Sequence, residues 1–252
     1  MQLNEADIAQ FNSEGFLIFR QLIDAQLLNE IKNQTKIHLN LRLPPFELEA
    51  ALGYPRAPQS VDAEGGQTIR RLLLAYSRDS AFREWGKNRV VKAILQQLLS
   101  TEQVYLVQSH HNCIMTKQPE YSSKTMWHRD VRYWRFENDE LINTWLAMGP
   151  EVNANGCLKV LPGSHQWPND REMVDDKLFL KTDHPSAQES LAQAIDVELH
   201  AGDVLFFHAG LFHAANHNSE QQVKNSLVYS YHGESNSPIP ETKSTTFEEV
   251  LI

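Results

Sequence analysis

The chain has 252 residues, 41% of them hydrophobic and 22% charged, with a formal net charge of −9 at pH 7. That is enough chain for a substantial core, and the acidic balance argues against a dedicated nucleic-acid or anionic-membrane binder. Two cysteines, Cys113 and Cys157, are too few for a disulfide scaffold and lack the spacing of a structural zinc site.

The opening Met-Gln-Leu-Asn-Glu-Ala-Asp has neither the basic flank nor the apolar run of a signal peptide. No apolar run approaches the roughly 18 residues of a membrane span, so a reducing, cytoplasmic setting is the expectation. Residues 4–14 read as a helix with Asn4 as N-cap, Glu5 and Asp7 at its positive end, and Gly15 as its stop. Phe16-Leu17-Ile18-Phe19 is a short β-prone run. A second helix is expected from Asp24 to about His38, with Leu27, Leu28 and Ile31 on one face. Residues 40–68 carry prolines, paired glycines and little periodicity, which fits a long irregular segment, either a binding loop or a surface excursion. Helical spacing returns over 80–100 through Phe82, Trp85, Val90, Ile94 and Leu98.

From Val104 the texture changes to short β-rich runs separated by turn residues: Val104–Val107, Leu141–Leu146, Val204–Phe207 and Ser226–His232. Helices first and strands later predict an α+β chain, with a helical part over about 1–100 and a β-sandwich or barrel core over about 103–233. Residues 234–252 read as a loosely held tail. No repeat or linker divides the chain, so 1–252 is expected to form a single domain.

Chemistry concentrates at Trp127-His128-Arg129-Asp130. On an extended segment, residues i and i+2 leave the same face, so His128 and Asp130 can aim at one point. One more imidazole would complete a facial site of two histidines and a carboxylate, which suits iron(II) and leaves positions open. Zinc can use the same ligands in a hydrolase or isomerase. His208, His213 and His217 are the candidates for the missing ligand on residue type alone. By the same parity Arg132 would face the cavity if the strand continues, as a candidate partner for an anionic substrate, with Tyr133 and Trp134 as candidate substrate walls.

Several further stretches stand in order along the chain: Ala9–Leu17, Asn155-Gly-Cys-Leu-Lys-Val-Leu-Pro-Gly-Ser-His165, Gly202–His208 and His213–Ser219. With Trp127–Asp130 they resemble the phytanoyl-CoA dioxygenase family, including its ectoine-hydroxylase-like members. The resemblance implies a double-stranded β-helix (a cupin-like jelly-roll barrel) with N-terminal and flanking helices, using iron(II), 2-oxoglutarate and O2 to hydroxylate a small organic substrate. It implies His128, Asp130 and His213 as iron ligands. A carboxylate at position 130 favours hydroxylation over halogenation, because related halogenases carry a small residue there.

The family pattern also places an arginine for the distal carboxylate of 2-oxoglutarate where this chain has Lys224. No arginine follows Arg171, so a point charge replaces a planar fork. Ser226, on the same strand face, is expected to assist, and one of Arg70 and Arg71 to meet an anionic group in the pocket. A metal-binding relative without turnover is the alternative that the Lys224 departure keeps open.

Overall fold

The computed structural model describes residues 1–168 and 170–252. Helix α1 (Glu5–Glu14) starts with a reciprocal cap: Asn4 Oδ1 accepts from the Asp7 amide at 2.9 Å, and Asp7 accepts from the Asn4 amide at 3.0 Å. Gly15 ends it at φ 84°, its amide donating to Phe11 O. Helix α2 (Ala25–Asn40) is capped by Asp24. The single helix expected over 80–100 is instead two, α4 (Ser80–Gly86) and α5 (Arg89–Leu98), after a short α3 (Ala75–Arg78). The chain turns at Lys87-Asn88, where Asn88 accepts from Val90 and Val91 amides and so starts a new helix. Helix α6 (Pro185–Leu191) lies later in the chain.

The strands in chain order are β1 (Phe16–Phe19), β2 (Phe46–Leu48), β3 (Ile69–Leu73), β4 (Val104–Lys117), β5 (Thr125–His128) and β6 (Leu141–Ala147). They continue with β7 (Leu158–Val160), β8 (Ile195–Val197), β9 (Val204–His208), β10 (His213–Ala215), β11 (Lys224–Gly233) and β12 (Val250–Leu251). An antiparallel sheet runs β1-β9-β6-β11-β4-β3-β2, with β12 also on β4, and a second runs β5-β10-β7-β8. The two sheets make a jelly-roll of the cupin type with helices added, an α+β fold.

Strand alternation divides the core in two. Trp145, Ala147, Leu205, Phe207 and Val228 of the larger sheet pack against Leu158, Val160 and Ala215 of the smaller one. Their strand neighbours Ile142, Leu146, Phe206, Leu227 and Tyr229 face the other way, onto Ile31, Phe82, Trp85 and Ile94 of the helices. With both faces covered, β6 and β9 read as nearly continuous apolar runs.

Two further expectations need correction. The 40–68 segment is mostly irregular but contains β2, which pairs with β3. The 234–252 tail is not loose: Val250 pairs with Leu106 and Leu251 with Tyr105, while Glu249 accepts from His232 Nε2 at 2.6 Å. Its few apolar residues fall where β4 has a free edge. Before β7, Gly156 sits at φ 76°, and a Cβ there would meet the Asn216 carbonyl. Glycine at this turn lets β7 lie against β10.

Candidate metal centre

Register in the smaller sheet assembles the centre. His213 opens β10 and pairs with His128 on one side and Val160 on the other, which leaves the two imidazole centroids 4.2 Å apart. Asp130 enters from the turn after β5, its amide donating to Ala209 O at 2.9 Å. One donor atom each from His128, Asp130 and His213 lie within 4.8 Å of one another, and all three residues are buried. Asp130 Oδ1 is 3.5 Å from His128 Nε2 and 3.6 Å from His213 Nε2.

The tautomers follow from the partners. His128 Nδ1 lies 2.8 Å from Met126 O and His213 Nδ1 lies 3.0 Å from Leu211 O. A carbonyl only accepts, so both Nδ1 atoms carry hydrogen and both Nε2 lone pairs face the centre. Burial lowers the pKa of His128, and lowers that of His213 to about 4 against the pull of Asp130. Burial by itself would raise the Asp130 carboxyl. The His111 cation beside it, with its hydrogen bond to Oδ1, holds it well below the usual carboxylate range. Two neutral imidazoles and one carboxylate with convergent lone pairs suit iron(II).

Outer partners fix the carboxylate. His111 Nε2 lies 2.8 Å from Asp130 Oδ1, and Asn143 Nδ2 donates to Oδ2 at 2.7 Å. Ser230 Oγ donates to Asn143 Oδ1 and orients that amide. Burial opposes a proton on His111, but adjacent Asp130 overcomes it and raises the pKa to about 9. Sequence reasoning missed all three residues. Asn143 left a signal, a carboxamide inside the apolar run Leu141–Leu146 that demands a buried partner. Asn143→Leu is expected to weaken iron(II) affinity about 10–100-fold; anaerobic titration measures it, and unchanged affinity would remove Asn143 from the support of the centre.

The other two candidate histidines have separate employment. His208 Nδ1 accepts from the Gly210 amide, and its Nε2 lies 3.7 Å from Glu140. His217 is half-buried, outside the triad.

Arg132 does not share a strand face with the triad. The strand ends at His128, and Asp130–Tyr133 form a 3-10 turn. Arg132 still reaches the neighbourhood: its guanidinium lies 4.1 Å from the Phe179 ring centroid, Nη2 is 3.4 Å from Tyr54 Oη, and Phe179 packs edge-on to His128. Its Nη1 is buried without a hydrogen-bond partner. Tyr133 is no cavity wall, being exposed with its hydroxyl on Lys177 O. Trp134 stacks on His110 and meets His111 edge-on. Arg70 and Arg71 both bond Glu47, and Arg71 keeps a buried Nε without a partner.

Lys224 differs most from expectation. It is buried, yet its ammonium donates to Glu151 Oε2 at 3.0 Å. Ser226 Oγ donates to Glu151 Oε1 at 2.6 Å, and Trp145 Nε1 lies 3.1 Å from both carboxylate oxygens. The triad therefore fits iron, whereas the cation expected for the distal carboxylate of 2-oxoglutarate already holds a carboxylate of the chain itself.

Comparison with known proteins agrees with the fold. A segment of rice "Phytanoyl-CoA dioxygenase 1" is 29% identical over 111 residues, 44% of this chain and 40% of the rice protein. The match thus spans less than half of that relative. Among solved structures, the epimerase SnoN in complex with Fe3+, alpha ketoglutarate and nogalamycin RO superposes with a TM-score of 0.74 at 18% identity, covering 94% of this chain and 86% of that one. EctD from S. alaskensis with bound Fe gives 0.72 at 18% identity, covering 94% and 79%. These likenesses establish the shared fold. The family model described as phytanoyl-CoA dioxygenase (PhyH) matches residues 11–226, from α1 to the strand that carries Lys224 and Ser226, and the chain belongs to that family.

Proposed function

We propose that this chain is a non-haem iron(II) oxygenase of the class that works with a 2-oxo acid, hydroxylating a small organic substrate, with His128, Asp130 and His213 as the metal ligands. The observation that carries the reading is the convergence of two Nε2 atoms and Oδ1 within 4.8 Å, with each imidazole locked by a backbone carbonyl. Family membership makes 2-oxoglutarate the expected co-substrate. Iron(II) held by His128, Asp130 and His213 would supply dioxygen activation, with one oxygen atom destined for the substrate as hydroxyl and the other for the acid left when the 2-oxo acid loses carbon dioxide.

The chain's own part is positioning. Asn143 and His111 hold the Asp130 carboxylate, and Phe179 covers the His128 ring. An anionic substrate is favoured by a cavity of about 330 Å³ that takes in Arg129 and Val131, the neighbours of Asp130 in the chain, and is lined by Arg129, Arg132, Arg135 and Arg171 against Asp139 and Asp170. Residues 1–252 act as one unit in this reading, since the helices cover the outer face of the sheet that supports Asn143 and Ser230.

Oxygen uptake with iron(II) and a panel of 2-oxo acids tests the proposal. Decarboxylation that requires iron and is lost in His213→Ala supports it. Iron binding without any oxygen uptake would reduce the chain to a binding protein, and turnover with zinc alone would make it a hydrolase or isomerase.

A further inference from the structure

We infer that Glu151 is a resident carboxylate standing where the distal carboxylate of the co-substrate would go, so that this chain selects 2-oxo acids with a short uncharged tail over 2-oxoglutarate. The inference rests on the iron-oxygenase reading above and specifies the co-substrate of that site.

Position comes first. Asn143 faces inward to Asp130, and Trp145 is the next inward residue on β6, about 7 Å further along. On the neighbouring β11, Ser230 bonds Asn143, while Ser226 and Lys224 follow on the same face. Trp145, Ser226 and Lys224 thus lie along the barrel interior from the triad, and Lys224 holds the position at which the family resemblance implies a cation for the distal carboxylate. All three direct their donors at Glu151.

Glu151 is fully buried, at 0% exposure. It is not a side chain on a free loop, because its amide donates to Leu199 O at 2.8 Å and its carbonyl accepts from the Leu199 amide at 3.0 Å. Both carboxylate oxygens are satisfied, and the Lys224 ammonium, 4.9 Å from the Trp145 ring centroid, is already neutralised. A second carboxylate would have to be buried beside the first without a cation of its own, which is costly.

Neighbouring cations do not supply one. Lys117 donates to Ser123 O at 2.7 Å, and burial together with the adjacent Lys224 lowers its pKa to about 7. Arg71 has its charge answered by Glu47 at 2.9 Å through Nη2, which leaves its buried Nε as an unused donor. A methyl or ethyl tail adds no such charge and meets the apolar side chains Cys113, Val228 and Leu158 between the sheets.

Calorimetric titration of manganese(II)-loaded protein with pyruvate, 2-oxobutyrate and 2-oxoglutarate tests this without turnover. Wild type is expected to bind at least one of the two monocarboxylates about tenfold or more tighter than 2-oxoglutarate. Glu151→Gln, which keeps one acceptor oxygen and removes the charge, is expected to tighten 2-oxoglutarate about tenfold while leaving pyruvate within about threefold. A wild type that prefers 2-oxoglutarate, with no change in Glu151→Gln, overturns the inference and leaves the oxygenase reading standing. Manganese binding with no 2-oxo acid bound by either protein overturns both. Should Glu151→Gln not fold, the wild-type ranking decides alone, and tighter 2-oxoglutarate overturns the inference.

Discussion

Asp130→Ala is expected to abolish oxygen uptake and to lower iron(II) affinity by more than the roughly 10–100-fold that losing an outer partner costs. Asp130 is the hub of the centre: one oxygen faces both ligand imidazoles and His111, and the other accepts from Asn143. Its removal takes away the only charged ligand of the triad and leaves the Asn143 amide and the His111 ring without their acceptor. Each buried group so orphaned costs about 1–3 kcal/mol, so the metal-free variant should also unfold at lower denaturant. Metal stabilisation gives an independent readout. Manganese(II) at about 100 times its dissociation constant adds roughly 2.7 kcal/mol to a protein that binds it only when folded. The wild-type melting temperature should therefore rise with metal and that of Asp130→Ala should not. A variant still stabilised by manganese would place the metal elsewhere.

Glu151→Ala is expected to be the most destabilising single change in the barrel interior, by about 3–5 kcal/mol, because it strands a buried ammonium. Lys224 has 4% of its surface exposed, so water cannot replace the lost carboxylate, and the Trp145 and Ser226 donors lose their acceptor as well. Against a total stability of about 5–15 kcal/mol for a folded domain, that is a large share. Removing both charges should restore most of it. Glu151→Gln with Lys224→Met keeps an acceptor for Trp145 and Ser226 and is expected within about 1–2 kcal/mol of wild type, since neutral replacements of buried pairs are often tolerated. Denaturant unfolding of Glu151→Gln, Lys224→Met and the double gives the coupling directly. Additive losses would show that Lys224 and Glu151 do not depend on each other.

How far the chain could be read in advance varies with the range of the interaction. The N-cap at Asn4, the stop at Gly15 and the cap at Asp24 involve residues within a few positions of one another, and such signals are local. The alternation along β11 and the apolar runs of β6 and β9 likewise announce strands, because a two-residue period is written in the chain itself. That His128 and Asp130 converge on one point was legible, though not for the reason of strand parity. The strand stops at His128, and a 3-10 turn swings Asp130 toward the histidines and carries Arg132 to Phe179 and Tyr54.

Selection of His213 over His208 and His217 needed family resemblance, since three histidines within ten positions look alike as ligands. Only sheet register places His213 opposite His128. Glu151 was invisible for a similar reason. Between Pro150 and Val152 it reads as any surface glutamate, and its meaning comes from Lys224, 73 positions away. The 234–252 tail gave no local sign that a two-residue strand would find the edge of β4.

By itself, then, the sequence determined the caps of the first two helices, the principal strand runs and which residue types could bind a metal. Tertiary structure alone decided that His111, Asn143 and Ser230 support Asp130, and that the cation on β11 is answered by a carboxylate of the chain. Periodicity and capping are written within a turn or two of backbone. Burial and charge neutralisation depend on which distant strands meet, and no local pattern carries that.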